Sequence, residues 1–424
     1  MNARTLVVFA TLLLALLGCA PERTLSDPDT APVRIGMIAP LSGELGSDGP
    51  DWRDAARLAV REVNAAGGVL PGRRVELIIE DGESRSDIGV AVAQRMIEDD
   101  GVVAIIGDSA SSATVRVYQE VTGPAQVLLA SGLSTSPVLT DINRALDPAD
   151  RFFFRTVPPD DRQAPALAEA MYGEYGNCRN ITVLYADNDY GRPFQEQSSA
   201  RFTALGGTVT PAQGVPYMEE LSSYRTQVMA IAALQPPPDC IALIGYPASA
   251  GIIMRDWDAL STKPDVTWFG TDGVRQPGFA SEVGNPALID DFYGTAPVTD
   301  PETPAYNRFY DQFVATFGND PVAFSSTIYD ATALVLLAIA KAGTSDDPIA
   351  IRDAVFQLND ASGVVVQAGR LAEGLRLIRE NRAINYEGAA GASDIDAEGN
   401  AELLYELWRF EATGETFERV RILE

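Results

Sequence analysis

The stretch IIGDSASSAT (105–114) is an apolar run that breaks into small hydroxyl side chains at Gly107-Asp108-Ser109. Two chemistries fit such a pattern. A serine could attack an acyl carbon, or several hydroxyls and backbone N–H groups could cradle a small polar group. A nucleophilic serine needs an adjacent base, most often imidazole, and the chain has no histidine. Its only lysines, Lys263 and Lys341, sit in no activating motif. Ser109 is therefore not read as a nucleophile, the protein is not expected to be an enzyme, and histidine-built zinc sites fall with it. No motif calls for a metal or cofactor.

The cradle gains partners elsewhere in the chain. SGLSTSP (131–137) is a second hydroxyl-rich loop after an apolar run, carrying Leu133, Ser134 and Thr135. The first loop also opens a helix at Ser111, whose N-terminus favours an anion such as a carboxylate. Any one of these serines alone reads as an N-cap; two such loops on adjacent strands point to a site. YADNDYGRPF places Tyr190 after an apolar run, LIGYPASAG places Tyr246 likewise, and FGTDG places Asp272. Singly, the tyrosines read as packing residues and Asp272 as a turn aspartate. Facing the hydroxyl loops across a cleft, Asp272 would take an ammonium while the loops take a carboxylate. A zwitterion fits that arrangement.

The elements that must position these residues alternate regularly from residue 33. VRIGMIAPLSG reads as a strand ending in a turn. The segment 51–68 reads as a helix with Ala55, Leu58, Ala59 and Val63 on one face and Gly67-Gly68 at its end. RRVELIIED, the helical DIGVAVAQRMIEDDG, VVAIIGD, a helix over 112–121 and QVLLAS complete a β-α-β-α-β-α-β series. Such a series specifies a parallel sheet covered on both faces. It stops near RFFFRTVPPDD (151–161) and a second begins, with helices over 191–205, 224–234 and 249–260 among its strands. Further helices are expected over 303–317, 322–342 and 348–358, and strands near 363–371 and 403–411. Residues 385–400, rich in Gly and Asp, read as a loop or lobe crossing. The fold class is α/β, with two lobes that are each a doubly wound, mostly parallel sheet. The expected partition is 33–157 plus 298–385 for lobe one and 158–297 plus 386–424 for lobe two. In open sheets of this kind, ligands sit beyond the carboxyl ends of the strands.

At the N-terminus, one arginine precedes an apolar run from Leu6 to Leu17, too short for a comfortable membrane span and suited to a signal peptide over 1–18. Leu16-Leu17-Gly18-Cys19 has the form of a bacterial lipobox, which makes Cys19 the expected acylated residue and 19–32 a flexible tether. Nowhere else is a stretch judged long and apolar enough to cross a membrane, so contact with the membrane is expected only through the lipid, on the periplasmic side. Cys178 and Cys240 each lie just before an apolar run; neighbouring parallel strands would allow a disulfide, and two unrelated buried thiols are the alternative. The 424 residues are 46% hydrophobic with a net charge of −27, which suits a two-lobed globular protein and disfavours nucleic acid as a partner.

Together these blocks resemble the leucine/isoleucine/valine-binding protein family, the periplasmic ligand-binding proteins of ABC-type branched-chain amino acid importers. IIGDSASSAT, ASGLSTSPVLT, NDYGRPFQEQ, IALIGYPASAGIIMRDW and WFGTDGV occur in the family's order after an opening that runs from VRIGMIAPLSG to RMI. The resemblance implies a type I periplasmic binding fold with a hinge. It implies that Ser111, the Leu133 carbonyl and Thr135 grip the α-carboxylate and α-ammonium, with Ser134 beside them. Tyr190 and Tyr246 would close over the ligand and Asp272 would take the ammonium. Trp52 and Asp48 fall in the loop that lines the side-chain pocket, and Asp48 departs from the aromatic found there in relatives, which argues against a simple aliphatic ligand. An amino acid or similar zwitterion, an ABC transporter permease and a monomeric state follow as expectations. A lipoprotein using the fold for protein contacts alone, as a cell-wall synthase activator or sensor, is the other class.

Overall fold

The computed structural model describes residues 30–411 and 417–423. The leader, Cys19 and all but the last residues of the tether lie outside them.

Five strands form the first sheet: β1 (Val33–Ala39), β2 (Val75–Asp81), β3 (Ala104–Ile106), β4 (Leu128–Ser131) and β5 (Phe153–Arg155). All are parallel, in the order β2-β1-β3-β4-β5. Parallel pairing obliges each connection to cross over, and helices Gly49–Ala65, Ser86–Glu98, Ser111–Val117 and Pro137–Ala145 do so. Sheet order reverses between β1 and β3, which opens a crevice at the strands' carboxyl ends. There lie the loops 107–110 and 132–136.

The second sheet repeats the scheme with β6 (Asn180–Ala186), β7 (Thr208–Val209), β8 (Val215–Tyr217), β9 (Cys240–Ile244), β10 (Thr267–Gly270) and β11 (Tyr293–Pro297). Strands β12 (Val364–Gln367) and β13 (Ile384–Glu387) pair only with each other. The chain then returns through β14 (Tyr405–Phe410) and β15 (Phe417–Leu423), which extend the second sheet antiparallel to β11. Strands β3, β4 and β9 are buried throughout, as an apolar strand covered on both faces must be: CIALI of β9 has no exposed residue.

Helix Ser325–Ala342 is the chief departure. It has the length and the mean hydropathy, 1.2, of a membrane span, which corrects the expectation that no segment beyond the leader qualifies. Every residue from Ser325 to Ile339 is nevertheless buried in the protein, against β3, β4 and helix Gly49–Ala65. Its apolar face is satisfied by the first lobe, as in any all-round hydrophobic core helix. The expected strand over 363–371 is instead β12 followed by helix Leu371–Arg379. Gly369, at φ +76°, breaks the strand, Tyr329 Oη accepts its N–H at 2.9 Å, and Glu62 Oε1 accepts the Leu371 N–H at 2.5 Å. Both partners are remote in sequence, so local pattern does not reveal the switch. The helix expected over 112–121 ends at Val117 and continues as a single π-turn, Tyr118–Thr122.

Cys178 and Cys240 are joined by a disulfide, with Cα atoms 6.0 Å apart. Strands β6 and β9 are parallel neighbours with Ile181 opposite Cys240, so both cysteines reach the same sheet edge. The bridge closes a loop across a separation of 62 residues, for which chain-entropy arguments give at most about 4 kcal/mol. Replacing both cysteines by serine should lower stability by about 2–4 kcal/mol in chemical denaturation, and adding reductant to the wild type should reproduce the loss.

Candidate functional site

Two loops at the edge of the first sheet are held by buried polar contacts. Gly107 turns the chain out of β3 at φ +122°, where a Cβ would stand 2.6 Å from the Ile38 carbonyl oxygen. The Asp108 carbonyl then accepts hydrogen bonds from Thr114 Oγ1 (2.8 Å), Ser131 Oγ (3.2 Å) and Ser134 Oγ (3.2 Å), tying both loops to one oxygen. Arg155, wholly buried at the end of β5, donates to the carbonyls of Ser134 (2.9 Å) and Ser136 (2.8 Å), to Thr140 Oγ1 and to Asn400 Oδ1. Burial lowers its pKa to about 10. Helix Ser325–Ala342 closes the base. Its backbone at Ile328 lies 2.7 Å from where a Cβ on Gly132 would stand, and Thr327 Oγ1 donates to the Gly132 carbonyl at 2.6 Å.

Opposite stand the residues at the carboxyl ends of β6, β9 and β10. The rings of Tyr190 and Tyr246 stack at 5.4 Å. Tyr190 Oη is 2.6 Å from Thr271 Oγ1 and 3.0 Å from Asp272 Oδ1, and Gln163 Nε2 donates to the same carboxylate oxygen at 2.8 Å. Asp272 is buried, and burial raises its pKa to about 6. Asp160, at the start of helix Asp160–Tyr172, is fully buried and neither carboxylate oxygen has a hydrogen-bond partner. Burial first, and then the neighbouring Asp272, push its pKa well up. Two carboxyl groups thus share one water-poor compartment, where a cation between them would be strongly held.

The cavity between the two sides is about 20 Å³. Trp52, Ser111, Leu133, Thr135, Tyr190, Tyr246 and Asp272 all line it. Ser134 does not, because its hydroxyl is turned inward to the Asp108 carbonyl and Thr114 Oγ1. Asp48 is also absent from the wall: its Oδ2 accepts from Ser47 Oγ at 2.8 Å and faces Gly278 across the cleft. Trp52 is fixed by an Nε1–H bond to the Ala323 carbonyl at 2.7 Å. Leu45, Ser109, Gly273, Gln276 and Phe324 complete the wall and were not expected there; Asp160 and Gln163, which face Asp272, were also missed. Asp160 had a local signal, an acidic residue opening a helix just after the Pro158-Pro159 break; Gln163 and Phe324 reach the site only through tertiary packing.

The lobes are also latched outside the cavity. Glu44 accepts the backbone N–H of Ser249 at 2.9 Å and of Glu220 at 3.0 Å. Ser249 lies in the first turn of helix Pro247–Asp258, so a carboxylate from one lobe caps a helix N-terminus of the other. Ser136 Oγ donates to the Asp189 carbonyl at 2.5 Å beside it.

Two parallel α/β lobes shut over a small cavity define the type I periplasmic binding protein fold. The profile of the periplasmic binding protein family matches residues 32–392, and the chain belongs to that family; leucine/isoleucine/valine-binding proteins are among the relatives it resembles. It is 28% identical over 378 residues to BasB, the substrate-binding protein of a chemotactic signal transduction system in Halobacterium salinarum, covering 86% of this chain and 84% of that protein. It is 24% identical over 317 residues to the leucine-, isoleucine-, valine-, threonine- and alanine-binding protein of Pseudomonas aeruginosa, covering 74% and 79%. In fold it matches the leucine-binding protein LivK of Thermotoga maritima at a TM-score of 0.76, with 21% identity, 92% of this chain and 99% of that one.

Glu44→Gln should weaken the latch, since an amide must turn an N–H toward one of two backbone donors. Small-angle scattering of the ligand-free variant should show a larger radius of gyration than the wild type, with unchanged circular dichroism.

Proposed function

We propose that this protein is an extracytoplasmic solute-binding lipoprotein that captures an amino acid or similar zwitterion between its lobes and presents it to an ABC transporter permease. The observation that carries the reading is the opposition of Asp272 to the hydroxyls of Ser111 and Thr135 across one buried cavity. The ligand carboxylate would lie on the first-lobe loops, with the Ser111 and Thr135 hydroxyls and the first turn of helix Ser111–Val117 as donors. The ammonium would lie against Asp272 and the Leu133 carbonyl, under the stacked Tyr190 and Tyr246. Tyr246 Oη, buried without a hydrogen-bond partner, is available to the ligand.

Membership of this family implies a location outside the cytoplasm and a role in binding and delivering solute. The cavity's small volume supports capture by hinge motion: the lobes must part to admit an amino acid, and the ligand then favours closure. We take residues 33–157 plus 298–385 and residues 158–297 plus 386–424 as the moving bodies, a partition the membership of the two sheets supports. The Gly18-Cys19 junction supports a lipid anchor. Membership of a family of solute-binding proteins favours binding without catalysis.

A thermal-melting panel of amino acids, amides and small acids tests this reading. A ligand at 100 times its Kd should add about 2.7 kcal/mol to stability, and a flat response across the panel would remove the proposal. Asp272→Ala should raise Kd by about 30-fold or more, since a buried charge-assisted contact is worth about 2 kcal/mol or more.

The pH dependence has a definite sign. Because the folded, ligand-free protein holds Asp272 at about 6, above its ordinary 3.8, the folded state binds more protons than the unfolded one between those values. This group's contribution to ligand-free stability therefore grows as pH falls from 7 to 4, and affinity for an ammonium falls over the same window. Melting and calorimetry of the wild type against Asp272→Asn should show both trends, and the variant should lose that component of each.

A further inference from the structure

Beyond Phe324 lies a second cavity of about 230 Å³. Phe324 is a wall of both spaces, and the Ala323 carbonyl that anchors Trp52 belongs to the same segment. Its polar lining comes from both lobes: Arg275 and Arg419 from the second, Thr299, Tyr306 and Ser326 from the segment 298–385 of the first. By the measure in which one water or halide needs about 15 Å³, it has room for a short organic acid.

The charge there does not balance. Arg275 Nη2 lies 2.5 Å from Glu406 Oε1, and Arg419 Nε lies 2.6 Å from Glu406 Oε2. Two guanidinium groups share this one fully buried carboxylate. Among the described residues that line the cavity there is no aspartate or glutamate. Arg275 Nε is buried without a hydrogen-bond partner. Burial is the main effect lowering the Arg275 pKa, and Arg419 adds to it. This positive charge, partly open to water at Arg275 and Arg419, lies beside the hydroxyls of Thr299 and Ser326 (3.1 Å apart), and an anion there would answer it and the buried Arg275 Nε. A carboxylate matches the planar donor forks of arginine.

We propose that this cavity is a carboxylate site forming the far compartment of the ligand cleft, opened by movement of the half-buried Phe324 side chain. The carboxylate comes either from the tail of an acidic amino acid whose zwitterion lies against Asp272, which rests on the reading under Proposed function, or from a separate small organic acid. Because its donors belong to both lobes, either occupant draws the lobes together.

Calorimetry on the full chain tests this with leucine, glutamine, glutamate and 2-aminoadipate, and with propanoate alone and after saturation with a neutral amino acid. A tail carboxylate is supported if glutamate or 2-aminoadipate binds at least tenfold more tightly than glutamine, and a separate acid if propanoate binds without that preference. Arg419→Gln, at a partly exposed position, should reduce either effect tenfold, and Arg419→Lys should restore part of it. Neutral amino acids binding with neither an acidic preference nor a propanoate signal would overturn the carboxylate site and leave the functional reading standing. Failure of every amino acid to bind would overturn that reading, and the propanoate arm would still decide the cavity. The wild-type panel decides both if the variants fail to fold.

Discussion

Asp272 and Asp160 are buried together between two lobes, and a carboxylate removed from water must be answered by donors or by a cation, or else take up a proton. Gln163 and Tyr190 answer one oxygen of Asp272; Asp160 has only the Thr135 side chain and the charge of Arg155 to offset its burial. Several side-chain contacts surround this pair. Helix Asp160–Tyr172 brings Gln163 to Asp272, with its second amide hydrogen on the Thr295 carbonyl at 2.9 Å, and the tyrosine stack covers the compartment. In the proposed reading, the ligand-free protein holds these carboxylates at an electrostatic cost that a bound ammonium would relieve.

The facing side is held by different contacts. The loop 131–136 has no regular hydrogen bonding of its own, and Arg155 supplies it by filling the carbonyls of Ser134 and Ser136. The same guanidinium reaches Asn400, on the segment that returns the chain toward β14. One side chain therefore joins the 131–136 loop to a connection between lobes. Asn400 is itself held by Asp396, whose Oδ1 accepts its backbone N–H at 2.8 Å. Movement of that connection is felt at the loop through hydrogen bonds that cannot stretch far before they break.

Charge is arranged differently in the two compartments that meet at Phe324. Against Asp272 the charged groups are the carboxylates of Asp272 and Asp160; around Arg275 and Arg419 the cavity is lined by two guanidinium groups and no carboxylate among the described residues. Glu406 neutralises one arginine of the pair and leaves one over. A net charge of −27 on the whole chain says nothing of either, because local fields in a low-dielectric interior are set by the nearest groups.

Alternation of apolar runs with amphipathic segments determined two parallel α/β lobes, since a parallel strand needs a crossover and a strand covered on both faces must be apolar. Residues just after such runs, among them Ser111, Thr135, Tyr190, Tyr246 and Asp272, were legible as site candidates for the same reason: parallel strands deliver their carboxyl ends to one edge. The cysteine pair was legible in part, because parallel neighbours put Cys178 and Cys240 at one sheet edge. Tertiary structure alone decided that Ser134 turns inward, that Asp48 faces Gly278, and that the apolar Ser325–Ala342 is a core helix. It alone brought Asp160, Gln163, Arg155 and Phe324 to the cleft. Each of those outcomes depends on a partner more than a hundred residues away or on the competition of one hydroxyl between two acceptors, and no local periodicity records either.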